Sequence, residues 1–317
     1  MQTVSLSTSP SLWQAVLSTC PSVPVDYTPS MISYQQAYFG YTDLSCTFTQ
    51  GDKPIAVFTY SDNLTSNGGG ILPPLCVPSV IGTSLHRKLI RECLVLTSHS
   101  PSAAVSFRSY CVDDWHLELM AQGGRIEAVQ HDLWVDLSLP LGEIKSCFRK
   151  QYRNSINQGA KLFECETVHR FSGGNPDLAI DKLRDLHIEV SGRQTRAQDT
   201  WDAQKQGMRS GDDFIVFVRY QGEIVGASLF STSKSHASYS VGAYRRELFS
   251  EMPVSHTAIW EAITHSKSIG RRWLYLGRRA YPQDPDSPTE KEVSIGYFKR
   301  GFATDITPQF NIILGVE

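Results

Sequence analysis

Two short apolar runs joined by two residues limit the architecture of this chain more than anything else in it. Phe214 to Tyr220 and Glu223 to Ser231 are separated only by Gln221-Gly222. So tight a connection makes an antiparallel pair, because parallel neighbours need a crossover of about a dozen residues or more. Around this hairpin the periodicity is helical. Asp177 to Val190 carries Leu178, Leu183 and Leu186, and a second helix is expected near Asp199 to Met208, ending before Ser210-Gly211. Leu162 to His169 reads as a strand before them. After the hairpin come a strand at Ser235 to Val241 and a helix at Pro253 to Ser268, with Pro253 in its first turn and Gly270 past its end. Trp273 to Leu276 is a strand, Thr289 to Arg300 a helix and Thr307 to Leu314 a last strand. This order gives a mixed sheet covered by helices on both faces.

The preceding half is less regular. Ser11 to Thr19 is expected as a short helix ending at Pro21. Leu44 to Thr49 and Pro54 to Tyr60 form a hairpin over Gln50-Gly51-Asp52-Lys53, and Asn63 to Pro74 must be a loop. Ser84 to Leu96 has helical spacing, and Ala103 to Tyr110, His116 to Met120 and Trp134 to Leu137 read as strands. Leu141 to Gly159 is expected as one helix. Its Ile144, Phe148, Tyr152 and Ile156 form an apolar stripe, and Lys145, Arg149 and Arg153 form a cationic row beside it.

A chain of 317 residues has room for two domains, placed at 1–160 and 161–317. Its net charge of −2 gives no global attraction to nucleic acid, so binding there needs a local basic patch. No run approaches 18 apolar residues and the first residues lack a signal-peptide pattern. Seven cysteines lie singly, an odd number with no CxxC pair, which suits reduced thiols and a cytoplasmic location.

The segment Trp134-Val135-Asp136-Leu137-Ser138 leads into Phe148-Arg149-Lys150-Gln151-Tyr152-Arg153-Asn154-Ser155-Ile156. Downstream lie HIEVSGRQTR at His187 to Arg196 with Trp201, YSVGA at Tyr239 to Ala243, LYLG at Leu274 to Gly277 and YFKRGF at Tyr297 to Phe302. In this order they resemble the FemABX-like peptidyltransferase family, within the acyl-CoA N-acyltransferase (GNAT) superfamily. The resemblance implies an α+β, mixed α/β fold: tandem GNAT-like domains, each a mostly antiparallel mixed sheet flanked by helices. It also implies amide-bond formation on an amine acceptor (a small molecule, a sugar or a peptide), with aminoacyl-tRNA or acyl-CoA as donor co-substrate and no permanently bound cofactor. Acyl-CoA users in this fold carry a Q/R-x-x-G-x-G/A loop after the fourth strand, whose backbone N–H groups hold the pyrophosphate. Here Ala243 to Pro253 has no glycine, and Glu247 and Glu251 would repel a diphosphate. That departure favours aminoacyl-tRNA or another donor over acyl-CoA.

Amide formation needs a deprotonated amine, a polarised carbonyl and a fixed line of attack. His187 and Glu189 are candidate bases at a helix end, with Arg193 and Arg196 as a clamp for phosphate or carboxylate. The bland alternative is a solvated helix end. His256, near the start of a helix, is a candidate base or an ordinary packed histidine. Tyr239 is a candidate site phenol or a core tyrosine. Lys299, by the resemblance, lines the donor or acceptor site and neutralises phosphate or carbonyl charge; otherwise it is a basic helix end. Arg278 and Arg279 have a weaker claim. Arg153 and Arg149 are candidates for a diphosphate or tRNA backbone, and Trp201 belongs to the same candidate substrate site. HIE is not a zincin pattern, and no metal site is expected. Three readings follow: amide-forming aminoacyl or acyl transfer, an acetyl-CoA-dependent N-acetyltransferase of an amino sugar or small amine, and a non-catalytic ligand- or RNA-binding module.

Overall fold

The computed structural model describes residues 1–62, 70–98, 104–248 and 252–315. The chain opens with β1 (Gln2–Ser5), α1 (Pro10–Thr19), α2 (Pro29–Phe39), β2 (Cys46–Gln50) and β3 (Lys53–Phe58). Next come β4 (Leu75–Cys76), α3 (Ser84–Ser98), β5 (Ala104–Ser109), α4 (Asp114–Ala121) and β6 (Arg125–Asp136). Then follow α5 (Leu141–Cys147), α6 (Lys150–Leu162), β7 (Glu164–His169), α7 (Pro176–Ser191) and α8 (Gln198–Ser210). The chain goes on through β8 (Asp213–Tyr220), β9 (Glu223–Thr232), β10 (His236–Tyr244) and α9 (Val254–Ser268), and finishes with β11 (Trp273–Arg278), α10 (Glu290–Arg300) and β12 (Asp305–Gly315).

Strands β1 to β4 make an antiparallel sheet in sequence order. The other eight make a second sheet in the order β5-β12-β6-β11-β10-β9-β8-β7. Its pairs are antiparallel except β10 with β11. The hairpin β8–β9 turns on Gln221 and Gly222, both with positive φ, the two-residue geometry that matches strand twist.

Alternation along β8 divides the large sheet between two cores. Phe214, Val216 and Val218 pack with Ile144, Phe148, Tyr152 and Ile156 of α5–α6, with α9, and with Leu274 and Leu276 of β11. Ile215 and Phe217 face the other way, against Ile180 and Leu183 of α7 and Trp201 and Met208 of α8. A third core joins β1–β5 to α1, α3 and α4. In it Trp13 is fully buried and its indole N–H donates to the Tyr27 carbonyl at 2.9 Å. Truncating such a side chain costs about 3–5 kcal/mol.

Several sequence expectations change. His116 to Met120 is helical, because the Asp113 carboxylate accepts from the His116 N–H and caps α4. The expected single helix from Leu141 breaks at Phe148-Arg149, both with extended backbone. Its apolar stripe survives, since all four residues enter one core. The cationic row does not survive as a stripe: Lys145 bonds Asn157, and Arg153 donates to the Ser146 carbonyl. Helices α5 and α6 pack with the later elements, and β6 pairs with β11 and β12. Most of the loop expected at Asn63 to Pro74, residues 63–69, lies outside the described residues.

Candidate functional site

The one parallel pair creates an opening. β10 and β11 are in register only from His236–Trp273 to Ser238–Tyr275. Beyond that point each is bulged: β10 shifts against β9 between Tyr239 and Val241, and β11 shifts against β6 between Tyr275 and Gly277. The two strands then follow different neighbours and the sheet parts between them.

Lys299, near the end of α10, enters this parting. Its helix is fixed by a reciprocal cap, with Thr289 accepting from the Glu292 N–H and Glu292 accepting from that of Thr289. The Lys299 ammonium lies 4.6 Å from the centroid of the Tyr239 ring. Gly277, at φ +110, leaves it room: a Cβ there would stand 2.9 Å from the Lys299 Nζ. Gly242 does the same for Tyr239, whose phenol oxygen would lie 1.9 Å from an added Cβ. The Tyr239 hydroxyl is 3.4 Å from that of Tyr244, which in turn bonds Ser228 Oγ. Burial pushes the Lys299 ammonium down to about 8, and among the described residues no carboxylate offsets that cost. The side chain keeps partial exposure along its length. Burial raises both tyrosines above their ordinary range.

Beside Lys299 is an aromatic box. His256 lies 4.5 Å from Tyr152, 5.1 Å from Phe298 and 5.6 Å from Phe302, centroid to centroid. Burial there lowers its imidazole to about 4, so it is neutral at pH 7, and its Nδ1 has no hydrogen-bond partner among the described residues. Arg149 caps the box: its guanidinium is 3.8 Å from the Tyr297 ring centroid, and its backbone N–H donates to the Gly301 carbonyl at 3.1 Å. Gly301 is required by the packing of Tyr152, whose ring would lie 2.0 Å from an added Cβ.

The remaining sequence candidates are elsewhere. His187 packs edge-on to Trp201 at 5.6 Å; burial, then Arg196 and Lys291, lower its proton affinity. Trp201 is itself a core residue. Arg196 bonds the Tyr34 hydroxyl at 2.8 Å and lies over Tyr38 of α2, so it ties α2 to the α7–α8 segment. Glu189 forms an ion pair with Arg245 at 3.0 Å, and Arg193 is exposed. Arg278 is held by Asp284 and Asp286, and Arg279 by the carbonyls of Ala280 and Val293. Of the twelve named candidates, the structure gathers Tyr239, Lys299, His256, Arg149 and Arg279 around α10. Sequence reasoning missed Tyr244 and Ser228, which lie on strands with ordinary apolar patterning. It had quoted Gly277 inside LYLG and Gly242 inside YSVGA without assigning either a role.

The fold, a mixed sheet that opens between its parallel pair, is one this chain shares with FemX and with a tandem GNAT protein. No family model matches the sequence, and no curated protein matches it. Among solved structures, FemX superposes with a TM-score of 0.71 at 10% identity, covering 99% of this chain and 98% of that one. The C-terminal domain of a putative lysylphosphatidylglycerol synthetase from Agrobacterium fabrum gives 0.65 at 13% identity, over 98% and 92% of the two chains. A tandem GNAT protein from the clavulanic acid biosynthesis pathway gives 0.51 at 11%, over 99% and 98%. Among the described residues, no helix is long and apolar enough to cross a membrane.

Proposed function

We propose that this chain is an acyltransferase that forms an amide where β10 and β11 part. The observation that carries the reading is the enclosed Lys299 ammonium, next to a phenol and, among the described residues, unopposed by any carboxylate. A buried, uncompensated cation is costly to the fold, and such groups concentrate where charge develops during a reaction. The neutral acceptor amine attacks the carbonyl carbon of an ester or thioester. The carbonyl oxygen becomes an oxyanion, which the Lys299 ammonium stabilises. As the tetrahedral adduct collapses, the C–N bond is retained and the bond to the leaving oxygen or sulfur breaks. The nitrogen gives up a proton and the leaving group takes one, and the hydroxyl chain Tyr239–Tyr244–Ser228 offers the path. At pH 7 Lys299 is charged, as this role requires.

The donor we favour is aminoacyl-tRNA. After β10 the backbone enters a 3₁₀ turn, Arg246–Leu248, with Glu247 in it and no glycine to bring several N–H groups onto a pyrophosphate. The C-terminal domain of a putative lysylphosphatidylglycerol synthetase shares the fold, and a synthetase of that product accords with an amino-acid donor. The test is a transfer assay with labelled aminoacyl-tRNA and, in parallel, labelled acetyl-CoA, scored on a panel of amines. Label should move from the tRNA, and Lys299→Met should cut that turnover by about 10²–10³, the range for losing one oxyanion donor. Transfer from acetyl-CoA alone would reverse the donor assignment. Undiminished turnover by Lys299→Met would remove the lysine from the mechanism.

A further inference from the structure

A second cavity lies away from the parting, on the opposite face of the large sheet. Residues alternate along β6 and β11: Leu133, Val135, Leu274 and Leu276 enter the core with α9, and Trp134, Trp273 and Tyr275 point the other way. The first unit of the chain closes over them, held by Val23 N–H to Ser235 Oγ at 2.8 Å and by Lys234 to the Ser18 carbonyl at 2.7 Å. Between the two remains a space of about 380 Å³, walled by Tyr27, Tyr110, Trp134 and Trp273, with Asp26 and His236 among the rings.

The polar groups of this wall point to one kind of occupant. Two donors are already committed: the Trp134 indole N–H to Thr307 Oγ1 at 3.0 Å, and the Tyr27 hydroxyl to the Pro73 carbonyl. His236 Nδ1 lies 2.7 Å from Ser235 Oγ and 3.1 Å from the Val23 carbonyl, contacts that fix the ring in the wall. Burial lowers its proton affinity, so the ring adds no positive charge at pH 7. The carboxylate of the wall is Asp26, which accepts from Gln35 Nε2 at 3.5 Å and feels the charge of Arg108 behind it. The Trp273 ring already takes a cation on one side, with the Arg272 guanidinium 5.6 Å from its centroid. Four aromatic faces beside a carboxylate suit an organic cation, because ring faces are negative and a desolvated ammonium gains from both.

We propose that this cavity binds a primary ammonium compound carrying an apolar, ring-sized body, with the ring among Tyr27, Tyr110, Trp134 and Trp273 and the ammonium on Asp26. The site is separate from the parting that holds Lys299 and is tested by binding alone. The probes are 2-phenylethylammonium, its neutral counterpart 2-phenylethanol and the anion 3-phenylpropionate, titrated by ligand-observed NMR against the whole chain. The ammonium should bind about tenfold or more tighter than the alcohol, the size expected for a charge-assisted contact, and the anion should be weakest. Asp26→Asn should abolish the preference for the ammonium over the alcohol. Trp273→Leu keeps the side chain apolar but removes a π face, and should weaken the ammonium more than the alcohol. Thermal melts of both variants guard against misfolding. Equal binding of ammonium and alcohol, preference for the anion, silence from all three probes in the millimolar range, or a preference that survives Asp26→Asn in a folded variant would each overturn the proposal.

Discussion

Replacing Lys299 by methionine should make the protein more stable while making it inactive. Methionine matches the length of the lysine stem and removes the ammonium. Burial lowers that ammonium from 10.5 to about 8, and each pH unit is worth about 1.4 kcal/mol, so the charged form destabilises the folded chain by about 3 kcal/mol below pH 8. Partial exposure of the side chain brings the usable figure to roughly 2 kcal/mol. The sign follows from proton counts. Between pH 8 and 10.5 the unfolded chain holds the lysine proton more than the folded chain does, so wild-type stability rises with pH in that window. The advantage of Lys299→Met is therefore full at pH 7, shrinks above pH 8 and is gone above pH 10.5. Urea unfolding at pH 7 and at pH 10.5 measures it directly, with an increase of roughly 4 °C in melting temperature at pH 7 as a second reading. A methionine variant less stable than wild type at pH 7 would refute the reasoning, as would a gain equally large at both pH values.

Gly277→Ala should destabilise the chain by about 1–3 kcal/mol from its backbone conformation alone and displace Lys299, so turnover falls with it; an alanine variant of unchanged melting temperature would contradict this. Asp213, buried beside Asp212 and bonded to Ser231, is raised to about 7 by burial above all. A raised carboxyl loses stability as pH rises from 3.8 to 7, so Asp213→Asn should flatten that part of the stability profile and stabilise the chain at pH 8 by up to about 4 kcal/mol, read by urea titration. Glu189→Gln removes a surface ion pair with Arg245 and should change stability by less than about 1 kcal/mol; loss of a limb of the pH–rate profile in this variant would restore Glu189 as a general base.

Much of the second half was legible because its signals are local. The Gln221-Gly222 turn and Pro253 in the first turn of its helix each rest on neighbouring residues, and β8, β9, α9 and α10 fall within a residue or two of expectation. Strand β6 was nearly invisible. Its first eight residues, Arg125 to Asp132, are mostly polar because that stretch lies toward solvent, so neither an apolar run nor clean alternation marks it. The break at Phe148-Arg149 is set by Arg149 bonding Gly301, a contact spanning about 150 positions that no local pattern encodes. The site divided similarly. Lys299 and Tyr239 were named from a resemblance, but their proximity depends on two bulges and two glycines that only the assembled sheet explains. The candidate cluster around His187 was read as one polar loop; in the structure Trp201 is core, Arg196 joins α2, and Glu189 faces Arg245.

The placement of β12 has a consequence for how the molecule is made. This strand lies between β5 and β6, which precede it by about 170 to 200 residues. On a growing chain both of those strands are synthesised long before their common neighbour, and each must wait with an open hydrogen-bonding edge. Pairings so distant in sequence are slow to form, and waiting edges invite association with other nascent chains. Synthesis of β12, rather than completion of any earlier segment, is the step that closes the sheet.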